Sequence, residues 1–235
     1  NTISDTWLSL TAGRSGVDNI SSFDSTPFNT RFAAEVKGFD PTDYVGRKEA
    51  HRMDRFTQFA VAASIQAAEA SKLKIDSHKS EETGVVVGNS VCGLLSVCEQ
   101  LEVLKREGPR RISPILAPTM TGDAAAVQVA LLLGAKGPSY SPSSACSSSA
   151  DAIGQSYELI RRGEVEVMFA GGTEAPIGPI CMAAFSAARA LSTRNHSPQA
   201  ACRPFDAQRD GFVLGEGAGI IVLESLEHAV NRDAP

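Results

Sequence analysis

Ser143-Ser144-Ala145-Cys146-Ser147-Ser148-Ser149-Ala150 sets one cysteine among small side chains, between a segment that reads as a strand and one that reads as a helix. Small residues let a sharp strand-to-helix elbow close without a clash. The helix would then turn its unpaired first N–H groups, and the positive end of its dipole, toward the sulfur. That setting favours the thiolate, the nucleophilic form of cysteine. The competing reading is a buried, inert cysteine, the commonest fate of the residue. The elbow alone leaves both open.

Outward from the elbow, strands and helices alternate. Residues 139–144 predict the strand entering it. Residues 151–162 predict the helix leaving it, with Ile153, Tyr157 and Ile160 at helical spacing and Gly163 as the stop. Residues 83–88 and 165–170 read as buried strands, 218–224 as an apolar strand, and 31–36 as a further strand. A short helix is expected over 5–12 with Trp7, Leu8 and Leu10 inward. A long one is expected over 49–73, with a packing stripe of Met53, Phe56, Ala60, Ala63, Ala67 and Ala70. Residues 94–105, 122–133, 180–190 and 226–232 complete the helices, and 195–212 reads as an ordered surface loop. The pattern predicts an α/β layered fold with a mainly parallel central sheet.

Composition narrows the function. The 235 residues carry a net charge of −5, which argues against a general nucleic-acid binder. No apolar run approaches a bilayer span, and the first ten residues lack the basic and apolar regions of a signal peptide. Five cysteines, odd in number and without a CxxC pair, suggest neither a zinc site nor a disulfide framework; a reducing compartment follows. Basic residues nevertheless cluster, at Arg47, Lys48, His51, Arg52 and Arg55 and again at Lys105, Arg106, Arg110 and Arg111. Such clusters are either solvated helix faces or a docking patch for an acidic partner.

Other motifs carry less. Gly215-x-Gly217-x-Gly219 has the wrong spacing for a dinucleotide loop and precedes its strand; residues 88–93 lack the lysine of a P-loop. None of His51, His78, His196 and His228 sits in a glycine-rich or strand-end setting that resembles a catalytic loop, so they read as surface or structural histidines. Glu174 and Glu216, set among glycines, read as carboxylates that accept backbone N–H bonds rather than as acids.

Taken together, certain stretches resemble the elongating β-ketoacyl-acyl-carrier-protein synthases, types I and II, and type II most. They are Gly108-Pro-Arg-Arg-Ile-Ser-Pro114, Gly137-Pro-Ser139, Ala145-Cys146, Ala170-Gly-Gly-Thr-Glu174 and Ala187-Ala-Arg-Ala-Leu-Ser-Thr-Arg-Asn195. Arg203-Pro-Phe-Asp206 and Arg209-Asp-Gly-Phe-Val-Leu-Gly-Glu-Gly-Ala-Gly219 complete the set. The resemblance spans essentially all 235 residues. It implies the N-terminal half of a thiolase-like, five-layered α-β-α fold, with residues 1–235 as one ketosynthase N-terminal domain that lacks the family's opening strand. The family's His-Gly-Thr, Lys-x-x-x-Gly-His and Gly-Phe-Gly-Gly-Thr-Asn segments do not occur here. The chain thus resembles either a fragment or one subunit of a split enzyme, inert in condensation by itself.

The resemblance implies a decarboxylating Claisen condensation in which Cys146 accepts the acyl group and its backbone N–H forms part of an oxyanion hole. Val91 and Phe185 would line the acyl pocket, with Leu116 and Met120 reaching toward a partner subunit's pocket; plain core packing is the alternative for all four. Lys48, His51, Arg52, Arg110, Arg111 and Arg189 match the family's carrier-docking face. His51 stands there where a permanent charge is common, so docking would be weaker or pH-sensitive. No metal or cofactor is expected, since substrates ride the phosphopantetheine arm of acyl-carrier protein. A homodimer is expected, or a heterodimer with the absent half, and a cytoplasmic location, or a plastid or mitochondrial matrix. The alternatives are a polyketide ketosynthase α subunit and a non-catalytic half-domain or scaffold.

Overall fold

The computed structural model describes residues 2–75 and 79–235; His78 lies outside the described residues. In chain order the elements are α1 (Ile3–Thr11), β1 (Asp18–Asn19), β2 (Phe32–Ala33), α2 (Arg47–Ala50), α3 (Arg55–Ser71), β3 (Thr83–Gly88), α4 (Leu94–Glu107) and α5 (Leu116–Thr119). There follow α6 (Ala124–Leu133), β4 (Ser139–Tyr140), α7 (Ser148–Arg161), β5 (Val167–Glu174), α8 (Pro179–Ala187), β6 (Gly217–Glu224) and α9 (Leu226–Asn231). The chain forms two compact units: Asn1–Phe39 with Ala175–Glu216, and Asp40–Glu174 with Gly217–Pro235.

The larger unit holds a four-stranded sheet in the order β4-β3-β5-β6. β4, β3 and β5 run parallel, and β6 is antiparallel to β5. All six residues of β3 are buried, as its unbroken apolar run predicts for a strand covered on both faces. Strand alternation divides the side chains. Val86 and Met168 pack under α7 with Ala152, Leu159 and Val165. Phe169 and Thr173 face the other way, where the Thr173 hydroxyl donates to the Phe56 carbonyl of α3 at 2.6 Å. Phe56, Met168 and Phe169 are almost wholly buried, each worth about 1.5–3 kcal/mol of apolar burial.

Several expectations are corrected here. The helix over 49–73 breaks into α2 and α3, because Asp54 caps α3 instead of continuing the turn. Its Oδ1 accepts from Phe56 N–H at 3.3 Å, while Oδ2 accepts the N–H (3.1 Å) and hydroxyl (2.6 Å) of Ser96 at the start of α4. Of the stripe, Phe56, Ala60 and Ala67 are buried, Met53 precedes the helix and Ala70 is exposed. Strand β4 stops at Tyr140, four residues short, because Pro142 has no N–H to offer a ladder. On α7 the buried face is Ala152, Ser156 and Leu159, and Tyr157 is exposed. β5 continues through Gly171-Gly172-Thr173-Glu174, and the glycine triplet at 215–219 leads into and opens β6.

In the smaller unit β1 pairs antiparallel with β2, and Val17, Phe32 and Ala201 form a core with Ala34 and Val213 against it. The strand expected over 31–36 is thus two residues plus a bridge from Ala34 to Gly215. The loop at 195–212 has one short 3-10 turn, Pro198–Ala200. At its two ends, Asp210 accepts from Ser192 Oγ (2.8 Å) and Arg194 Nε (3.2 Å), and the Asn195 side chain accepts from Arg31 N–H at 2.9 Å. Helix α1 forms where expected, with Thr2 accepting from Asp5 N–H as its cap, but Trp7, Leu8 and Leu10 point outward and none of its residues is buried. Spacing sets an apolar face on a helix; it does not say what surface lies against that face.

Candidate active site

Cys146 stands one residue before Ser147, the N-cap of α7, and is exposed. Ala145 before it takes a left-handed backbone, φ +56°, which a side chain disfavours. Local hydrogen bonds close the elbow. Ser147 N–H donates to the Ser144 carbonyl at 3.3 Å and Ser148 N–H to the Ala145 carbonyl at 3.1 Å. The Ser148 hydroxyl donates to that same carbonyl at 2.7 Å and accepts from Ser144 N–H at 2.9 Å.

The floor beneath this turn is two glycines paired across β3 and β5, Gly88 and Gly172. A Cβ on Gly88 would lie 2.1 Å from the Ser148 carbonyl oxygen, and one on Gly172 would lie 2.7 Å from the Ser149 Cβ. The strands must lack side chains there for α7 to begin directly over them. Neither glycine stands out in the sequence as part of the cysteine's setting; the signal is that each ends or interrupts a buried β-branched or apolar run.

Glu174, at the end of β5, accepts the N–H groups of Ser90 (2.8 Å) and Val91 (3.0 Å) through Oε2. Glu216 accepts Val36 N–H at 2.9 Å. Both carboxylates anchor backbone, as their glycine-rich settings predict. Val91 is half-buried in the turn from β3 to α4. Two residues on, the α4 N-cap Gly93 comes so close to α5 that a Cβ would lie 2.6 Å from the Met120 Cα. Cys92, in the same turn, has its thiol pushed up by burial, with Glu174, Asp54 and Asp123 adding to the effect. Burial therefore disfavours its thiolate.

Residues 1–229 match the profile of the "Beta-ketoacyl synthase, N-terminal domain". This chain belongs to the β-ketoacyl synthase family. It is 46% identical over 234 residues to the 3-oxoacyl-[acyl-carrier-protein] synthase 2 of Synechocystis sp. and 44% identical to that of Vibrio cholerae, in each case covering 100% of this chain and 56% of the relative. The chain thus spans little more than half the length of these relatives. Among solved structures, a β-ketoacyl synthase from Burkholderia phymatum superposes with a TM-score of 0.87 at 35% identity, over 99% of this chain and 57% of that one. A type II PKS ketosynthase in complex with its acyl-carrier protein, bound to the hexaketide, superposes at 0.86 and 30% identity, over 100% and 57%. The mixed, mostly parallel sheet described above is therefore the thiolase-like ketosynthase fold.

Of the residues the ketosynthase resemblance singled out, Cys146, Val91, Leu116 and Met120 belong to the larger unit. Leu116 is half-buried and Met120 exposed. Phe185 belongs to the smaller unit, where its ring meets Phe212 edge-to-face at 5.3 Å. Lys48, His51, Arg52, Arg110 and Arg111 are exposed on the larger unit, and Arg189 is exposed on the smaller one. A cavity of about 440 Å³ opens beside His51 and Arg47, with Asp40 and Gln58 also in its wall. Acidic neighbours answer part of the second basic cluster: Glu102 pairs with Lys105, and Glu107 with Arg106 and Arg111. His228 is engaged at both ring nitrogens, by Glu224 (2.7 Å) and Lys79 (3.3 Å), so it is structural. No described helix is long and apolar enough to cross a membrane.

Proposed function

We propose that Cys146 is the acyl-accepting nucleophile of an elongating 3-oxoacyl-acyl-carrier-protein synthase. The observation that carries this reading is an exposed cysteine on a strained elbow at the start of α7, in a chain 42–46% identical to synthases of that name. The Cys146 thiolate attacks the thioester carbonyl of an acyl-carrier protein; the C–S bond to the carrier breaks and the carrier thiol leaves with a proton. The Cys146 backbone N–H supplies part of the oxyanion hole. Malonyl-carrier protein then loses carbon dioxide, and its carbanion attacks the acyl-cysteine, forming 3-oxoacyl-carrier protein and freeing the thiolate. The thioester itself supplies the activation, so the reaction needs neither metal nor cofactor. The histidine motifs that assist decarboxylation in the family do not occur in these 235 residues, and condensation requires them.

Lys48, His51, Arg52, Arg110, Arg111 and Arg189 form our candidate docking residues for the acidic carrier. Val91, Phe185, Leu116 and Met120 are the candidate acyl-pocket residues. We take residues 1–235 as one ketosynthase N-terminal domain, working as a homodimer or beside the complementary half, in the cytoplasm or an organelle matrix where its cysteines stay free. A polyketide ketosynthase is the second reading, favoured by the type II PKS structural neighbour. The higher identity to the synthase 2 relatives favours fatty-acid elongation. A fusion of this chain to the remaining part of the Synechocystis relative tests the proposal. It should release carbon dioxide and form 3-oxoacyl-carrier protein, and Cys146→Ala should form none. Product formation by the Cys146→Ala fusion at the parent rate would overturn it.

A further inference from the structure

The elbow carries a polar chain that the condensation does not use. The Ser147 hydroxyl lies 2.8 Å from the Ser144 carbonyl oxygen and 3.0 Å from the Ser144 hydroxyl, and the Ser144 hydroxyl donates to Asp151 Oδ2. Asp151 is tied to the same turn by its backbone, its N–H donating to the Ser147 carbonyl at 2.9 Å. It lies in the first turn of α7. The Ser144 hydroxyl spends its hydrogen on Asp151. That leaves the Ser144 oxygen open to accept from Ser147.

Ser144 and Ser147 are the residues on either side of Ala145-Cys146. The left-handed backbone at Ala145 is disfavoured for a residue with a Cβ and persists only where the surroundings hold it. We propose that Asp151 is a positioning residue: through Ser144 and Ser147 it clamps both ends of the elbow and keeps Cys146 presented for attack. This rests on the reading of Cys146 as the nucleophile. It adds a residue five positions further along α7 whose work is to hold the turn.

Alkylation of the 235-residue chain with iodoacetamide, followed cysteine by cysteine by peptide mass spectrometry, tests it. Asp151→Ala should slow Cys146 about tenfold, within the roughly hundredfold that a 1 Å misplacement of a reacting group can cost. Exposed Cys202 should keep its rate and buried Cys181 its protection. Asp151→Asn, whose amide oxygen still accepts from Ser144, should recover to within about twofold of the parent. Ser144→Ala should match Asp151→Ala, and the double variant should be no slower than either, because all three break one chain of bonds. An unchanged or faster Cys146 in Asp151→Ala overturns the proposal. So does an Asn variant as slow as the Ala variant, or exposure of Cys181, which would assign Asp151 to stability alone. Failure of the parent Cys146 to outpace Cys202 would count instead against the nucleophile reading, whatever the variants do.

Discussion

Two polar networks in the larger unit differ in what they leave open. Around α9, Glu224 accepts from Arg232 Nε at 2.6 Å and pairs with His228 at 2.7 Å, while Arg232 Nη1 donates to the Ser71 carbonyl at 2.8 Å. Their side chains are 10–14% exposed. Charge meets charge and the network closes on itself. At the elbow, serine hydroxyls and one carboxylate brace a turn whose central side chain, Cys146, takes no part in the bracing and stays exposed. The first arrangement holds α9 to its neighbours; the second, on our proposal, holds a backbone so that a sulfur can react.

The comparison breaks most sharply at the elbow's floor. Gly88→Ala drives a methyl group into the Ser148 carbonyl at 2.1 Å. It should destabilise the chain by about 3 kcal/mol, read by urea denaturation, and abolish the reactivity advantage of Cys146. In the closed network Arg232→Ala should cost about 2 kcal/mol by the same measurement and leave Cys146 alkylation untouched, since charged hydrogen bonds of this kind contribute about 1.5–3 kcal/mol.

That loss should depend on pH with a definite sign. Arg232, hydrogen-bonded to Glu224, holds its carboxyl below the ordinary glutamate value against the opposing effect of burial, and His228 adds to the lowering. A depressed carboxyl contributes stability that is present above the ordinary glutamate pKa and is lost as pH falls through the folded value. The gap between the parent and Glu224→Gln should therefore shrink in acid and stay open at neutral pH, as thermal melts across pH would show. A smaller effect comes from Thr173→Val, which removes the bond to Phe56 and should cost about 1 kcal/mol. Least is expected of Lys105→Ala, whose pair with Glu102 is exposed on both sides; its melt should match the parent to within about 0.5 kcal/mol.

Much of this was legible before the structure. The buried strand at Thr83–Gly88 ends where its glycine predicts, and the elbow, α7 and the anchoring role of Glu174 and Glu216 follow from local chemistry. What was not legible depends on partners distant in sequence. Asp54 reads as one more residue of a long helix until Ser96, forty-two positions away, arrives at its carboxylate. Gly88 looks like a strand end until Gly172 pairs with it and α7 lands on both. Trp7, Leu8 and Leu10 have the spacing of a buried face and lie exposed, because periodicity orders a helix without supplying its cover. Asp151, a single acidic residue in a first turn, reads as dipole compensation until Ser144 and Ser147 line up with it.

On our proposal the elbow makes Cys146 a nucleophile rather than merely an exposed thiol. Cys146 and Cys202 are both exposed, so their alkylation rates in the same folded chain compare two open settings rather than a buried thiol with an open one. A brief pulse of iodoacetamide at neutral pH should label Cys146 ahead of Cys202, and urea should erase the difference. Equal labelling of the two in the folded chain, or Cys202 ahead, would contradict it.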